Sequence, residues 1–281
     1  MLGFLAFSVL LGQQTPVQRV TSLTGNIVKT ADFESKFLGN KRNILVYLPP
    51  GYAENPTRRY PVLYCHDGQN VFDGATSYMP NLEWRVDESA EALIKADLIE
   101  PIIIVAVANG LGARSNEYLP WRFKMGNSDG GGKADLYGQF LLEEVKPFID
   151  KTYRTKPGGK DTAMMGSSFG AVISFYLGLK YPDKFSRLGL LSPSVWAYDK
   201  AMLKQVQALP KKLNLRIWID VGKEEPGDMV PDALALTEAF KAKGWKTPKE
   251  LAYYEDGFAG HNEYAWARRV PAILIWMFGK R

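Results

Sequence analysis

The chain carries one cysteine and two histidines in 281 residues. A single thiol, Cys65, excludes an intrachain disulfide and any thiolate cluster for zinc. It lies in the apolar run Val62-Leu63-Tyr64-Cys65, where a buried and inert thiol is expected. A block of one charge is also missing: 35 Lys and Arg face 30 Asp and Glu, a formal net charge of +5, scattered along the sequence. That balance argues against nucleic-acid binding and is read as solubility. No later apolar stretch is long enough to span a bilayer, so membrane insertion is not expected. The early run Leu2 to Leu11 is apolar and turns polar at Gln13-Gln14-Thr15-Pro16. Its length suits a signal-peptide core, although no Lys or Arg precedes it and no A-x-A site follows. Residues 1–16 are therefore a candidate signal peptide. A secreted or periplasmic location is expected over a cytoplasmic one.

The chain is 46% apolar and 23% charged, enough to bury the core of one α/β domain over residues 17–281. Strands are expected at Arg42–Leu48, Pro61–Cys65, Pro101–Val107, Asp161–Met165, Leu188–Leu191, Leu215–Val221 and Leu251–Tyr254. Helices are expected at Glu83–Leu98, Leu136–Asp150, Gly170–Lys180, Asp232–Lys243 and Tyr264–Phe278. Arg122 to Lys133, with three consecutive glycines, reads as a surface loop. Strands alternating with helices predict a mostly parallel sheet with helices on both faces.

Within that pattern, Gly166-Ser167-Ser168-Phe169-Gly170 follows a short apolar strand and opens a helix. This is the Gly-x-Ser-x-Gly nucleophile elbow, in which small residues flank a serine on a turn that throws its hydroxyl outward. A serine hydroxyl is a weak nucleophile and needs a base. Of the two histidines, His261 follows the last strand, where the Ser, acid, His chain order of α/β-hydrolases puts the base. His66 lies upstream and is read as a structural residue beside Asp67-Gly68. The acid belongs beyond the strand ending at Ile219-Asp220-Val221-Gly222. Asp220 is too early, inside the strand. Glu225 is the expected acid, Glu224 and Asp228 are the alternatives, and a Ser–His pair without an acid is the third. The oxyanion hole needs two backbone N–H groups. These are assigned to Phe169 and to Gln69, where Gly68 is expected to permit the tight turn.

His66-Asp67-Gly68-Gln69-Asn70 with Phe72-Asp73 and Arg114 through Pro120 carry a wider likeness. So do Val145 through Asp150 with Tyr153-Arg154-Thr155, the elbow, Ser192-Pro193-Ser194 with Trp196, and Gly260-His261-Asn262-Glu263 with Trp266. Together these resemble the esterase-D-like family of α/β-hydrolases, from about Lys41 to the C-terminus. That group includes enterobactin, feruloyl and acetyl-xylan esterases, S-formylglutathione hydrolases and mycolyltransferases. The resemblance implies a serine carboxylic-ester hydrolase working through an acyl-enzyme, without metal or cofactor. It supports Ser168, His261, Gln69 and Phe169 in the roles above and leaves the acid open, since the family's acid varies in type. The expected partner is a small-molecule or carbohydrate ester: acylated carbohydrate, phenolic or siderophore-type. Trp84, Trp121 and Trp196 fall at the expected C-terminal edge of the sheet, where they either stack on a ligand or pack in the core. Arg114 either pairs with Glu117 or meets an anionic substrate, so Trp196 and Arg114 are the substrate-binding candidates. An acyltransferase of the same fold differs only in whether an alcohol outcompetes water. A non-catalytic binding protein has no use for nucleophile, base and oxyanion elements together.

Overall fold

The structure is a computed structural model that describes residues 17–125 and 128–280. The stretch 1–16 read as a signal peptide lies outside the described residues. The strands are β1 (Asn26–Ser35), β2 (Asn40–Leu48), β3 (Val62–Cys65), β4 (Ile103–Val107), β5 (Phe123–Met125), β6 (Ser128–Gly130), β7 (Thr162–Ser167), β8 (Arg187–Leu191), β9 (Arg216–Gly222) and β10 (Leu251–Asp256). Helices are α1 (Val86–Lys95), α2 (Arg114–Tyr118), α3 (Ala134–Gln139), α4 (Lys146–Thr152), α5 (Phe169–Lys180), α6 (Ala197–Ala208), α7 (Met229–Ala242) and α8 (Glu263–Phe278). Eight strands form one sheet in the order β1-β2-β4-β3-β7-β8-β9-β10. In this sheet β2 pairs antiparallel with β1 and β4, and every other pairing is parallel.

Period-2 alternation on the central strands divides the core between the two faces. Val62, Tyr64, Val105, Met164, Leu190 and Ile219 point to the side covered by Phe140, Phe175 and Phe240. Leu63, Cys65, Ala106, Met165, Leu191 and Trp218 point to the side covered by α1 and α8, through Val86, Trp266, Val270 and Ile273. Burial on both faces explains why these strands read as unbroken apolar runs. Each large apolar side chain so buried contributes roughly 1.5–3 kcal/mol.

Two local expectations need correction. The Arg122–Lys133 stretch contains the β5–β6 hairpin rather than loop alone. The helix expected as one piece over Leu136–Asp150 runs through a π-helical stretch, Phe140–Val145, between α3 and α4. Pro147 stands at the second position of α4; it cannot donate to the carbonyl four residues back, and the wider turn absorbs the break in the ladder. Among the described residues no helix is long and apolar enough to cross a membrane. None of them forms a group of three or more His, Cys, Asp or Glu side chains able to hold a metal ion.

Candidate active site

The parallel register sets the carboxyl ends of β7, β8 and β9 side by side, with Ser167 opposite Leu191 and Leu191 opposite Asp220. Ligands of such sheets bind beyond these ends. Here β7 passes into α5 through Ser168, whose φ of 56° and ψ of −121° lie outside the regions favoured by L-residues. The turn closes so tightly that a Cβ on Gly166 would stand 2.4 Å from the Gly170 carbonyl oxygen. Only glycine fits there, which is the steric content of the motif. Ser168 N donates to Leu191 O at 2.9 Å, tying the elbow to β8. Its hydroxyl lies 3.3 Å from the Ser194 hydroxyl, a contact the sequence reading did not anticipate.

His261 stands between β10 and α8. Asn262 caps that helix, its side-chain oxygen accepting from Ala265 N at 3.0 Å. The Trp266 ring meets the imidazole edge-on, with centroids 5.0 Å apart. The loop after β9 is stitched to this segment by Lys223 N to Asp256 O at 2.9 Å and Glu224 N to Ala259 O at 3.0 Å. Glu225 is thereby brought under the imidazole, with His261 Nδ1 2.9 Å from Glu225 Oε2. A carboxylate acceptor at Nδ1 makes Nε2 the basic nitrogen. Glu224 and Asp228 are exposed, whereas Glu225 is buried. Asp220 is fully buried and turned elsewhere, toward Trp218 Nε1 at 2.8 Å and Arg269 Nε at 3.1 Å. Burial pushes its carboxyl up to about 6, against the pull of Arg269.

The loop after β3 brings Gln69 to the same place. Its left-handed residue is Asp67, with φ 56°. Gly68 permits the tight turn through a close approach: a Cβ there would stand 2.5 Å from the Val107 carbonyl carbon. His66 is fully buried, its Nδ1 2.9 Å from Tyr137 Oη, and burial lowers its pKa to about 4. Cys65 is buried as well, and burial raises its thiol pKa far above the reactive range.

Two cavities of contrasting chemistry meet at Ser168 and His261. One, of about 530 Å³, is walled by Phe169, Trp196, Pro226 and Met229. The other, of about 390 Å³, is polar, with Asp67, Gln69, Asn109, Arg114 and Glu263 among its walls. Glu263 is buried there, accepting from Asn70 Nδ2 at 3.3 Å, and burial raises its carboxyl pKa. Trp196 is 52% exposed at the mouth of the apolar cavity. Trp84 is wholly buried against Trp266, and Trp121 packs on Tyr198. Of the two alternatives for Arg114, the pairing with Glu117 does not occur. Arg114 holds Asp67, while Glu117 takes Arg42 in a buried pair at 2.9 Å. Both partners come from distant parts of the chain, Asp67 from the loop after β3 and Arg42 from β2, so helical spacing gave no sign of them.

The sheet order, the elbow after its fifth strand from the β1 edge, and the loops converging beyond the strand ends define an α/β-hydrolase. The Esterase family, described as "Putative esterase", matches residues 35–277, and the chain belongs to it. The chain is 25% identical over 256 residues to the protein YbbA of Bacillus subtilis, covering 86% of this chain and 94% of that one. It is 31% identical over 261 residues to an endo-1,4-beta-xylanase/feruloyl esterase of Xylanibacter ruminicola, covering 90% of this chain and 31% of that larger protein. The crystal structure of the BES protein from Bacillus cereus superposes with a TM-score of 0.74 at 20% identity, covering 95% of this chain and all of that one. At that identity the likeness is one of fold.

Proposed function

We propose that the protein is a serine carboxylesterase. Ser168 attacks the ester carbonyl as His261 Nε2 takes its proton, and Glu225 holds the imidazole by Nδ1 and stabilises the imidazolium. The Gln69 and Phe169 N–H groups receive the oxyanion, the latter at a helix N-terminus where the dipole adds to the bond. His261 then gives its proton to the leaving alcohol, and water, activated by the same imidazole, hydrolyses the acyl-enzyme. The observation that carries this reading is the 2.9 Å contact of His261 Nδ1 with buried Glu225, beside two cavities that both reach Ser168.

In this reading Trp196 and Phe169 hold an apolar or aromatic part of the ester, and Arg114 borders its polar part. The paired cavities suit an acylated carbohydrate, a phenolic ester or a siderophore-type ester, and the feruloyl esterase relative is consistent with the first two. Residues 17–281 act as one catalytic domain, and the apolar stretch 2–11 directs export. A fluorophosphonate probe tests the mechanism. Labelling is expected at Ser168 and nowhere else, with loss of p-nitrophenyl acetate hydrolysis in Ser168→Ala. Full activity in that variant would overturn the proposal.

A further inference from the structure

Ser192 closes β8 in a left-handed conformation, φ 43°, and is completely buried. Its hydroxyl makes three contacts: Glu225 Oε1 at 2.5 Å, Trp266 Nε1 at 2.9 Å and Arg269 Nη2 at 2.8 Å. Indole and guanidinium nitrogens only donate, and an ionised carboxylate only accepts. The two donors therefore fill both lone pairs of the hydroxyl, and its one proton has a single destination, Glu225 Oε1. The same oxygen accepts Gly222 N–H at 2.7 Å, leaving Oε2 for His261.

The geometry points to Ser192 as the positioning residue of the proposed acid, an inference that rests on the Ser168–His261–Glu225 reading above. A buried carboxylate with one hydrogen-bonded oxygen could rotate and offer either oxygen to the imidazole. With Oε1 held by two donors from different elements, the carboxylate plane is fixed and Oε2 faces Nδ1. Trp266 and Arg269 stand one turn apart on α8, the helix that His261 precedes. Trp266 thus touches both the imidazole and Ser192, so one helix sets His261 and, through the hydroxyl, Glu225. Arg269 is itself fixed by Asp220 at 3.1 Å and lies 3.8 Å from Glu225 Oε1. Its charge is thus shared between two buried carboxylates, and the hydroxyl relays its orientation to one of them.

The test is a double-mutant cycle on p-nitrophenyl acetate hydrolysis. Ser192→Gly removes the hydroxyl, and its left-handed backbone suits glycine, so this variant is expected to fold. Ser192→Ala is the second variant and is expected to behave alike. Each is expected to lower kcat about ten- to a hundredfold at nearly unchanged KM. In a Glu225→Gln background the same change should cost less than about twofold, because Ser192 acts through Glu225. A loss in Ser192→Gly that persists undiminished beside Glu225→Gln, or a wild-type kcat in both Ser192 variants, would overturn this inference alone. A wild-type rate in Glu225→Gln itself would overturn the triad and this inference together.

Discussion

Arg114 grips Asp67 with two parallel bonds, Nε to Oδ1 at 2.6 Å and Nη2 to Oδ2 at 2.8 Å, on the wall of the polar cavity. Its guanidinium also lies over the Tyr118 and Phe169 rings, at 5.2 and 5.6 Å. Asp67 precedes Gly68-Gln69, so the pair fixes the loop assigned to the oxyanion. Because the buried Asp67 carboxylate pairs with Arg114, the expected role of this guanidinium is to hold the loop. Arg114→Ala is expected to destabilise the protein by about 3 kcal/mol, the scale of leaving a buried charge unpaired. It should lower kcat while moving KM for a carboxylated and a neutral ester in parallel. Urea denaturation and paired kinetics check this; a selective rise in KM for the anionic ester would give Arg114 a direct substrate role.

Glu225 differs from its neighbours by burial and by reach, which makes the acid assignment open to direct comparison. Glu225→Gln is expected to lower kcat by roughly 10²–10⁴-fold, the range for losing an orienting carboxylate. Glu224→Gln and Asp228→Asn, both at exposed positions, should stay within about twofold of wild type. Steady-state rates on p-nitrophenyl acetate decide among the three.

The parts of this molecule legible in the sequence are those whose cause is local. Gly166 and Gly170 record the sterics of one turn, and the apolar runs at 62–65, 103–107 and 162–167 record burial on both faces of the sheet. β1 left no such trace. It is a largely exposed edge strand, bulged between Thr30 and Phe33 and polar at Lys29, Asp32 and Glu34, so no alternation marks it. Tertiary partnerships were illegible for a related reason. Arg114 and Glu117 sit at helical pairing distance, yet each pairs with a buried partner far along the chain. Ser192 and Arg269 are 77 residues apart and meet only when α8 packs under β8.

His66 supplies a pH dependence whose sign is fixed by burial. Its pKa falls from an unfolded value near 6.5 to about 4 in the folded protein. Between those values the unfolded chain binds the extra proton, so stability is full above about pH 6.5 and is lost as pH falls toward 4. The difference amounts to about 3 kcal/mol across the window. Asp220 works in the opposite direction over much of the same range, since its carboxyl is raised to about 6 and its ionisation on rising pH costs stability. A comparison with His66→Gln removes that confusion. The stability difference between wild type and this variant, from urea melts at pH 4 to 7.5, should change steeply between pH 4 and 6.5. A constant difference would mean that His66 is protonated in the folded state.

Gly166 offers a steric prediction independent of activity. An added Cβ would fall 2.4 Å from Gly170 O and 2.5 Å from Gly170 C, both backbone atoms that cannot turn aside as a side chain would. The elbow must then open, against the bond from Ser168 N to Leu191 O. Gly166→Ala is expected to cost at least about 1–3 kcal/mol, the usual penalty of overpacking a rigid site. In a chain of this length that is roughly 2–4 °C in Tm for each kcal/mol. Gly158→Ala is the matched control. Its φ of −71° and ψ of 148° suit any residue, and nothing lies within 4 Å of the added Cβ. There the change should be neutral or stabilising by about 0.4–1 kcal/mol, through the unfolded chain. Equal melting temperatures for the two variants would mean that the elbow yields to a methyl group, and the requirement for glycine at 166 would have to come from substrate access instead.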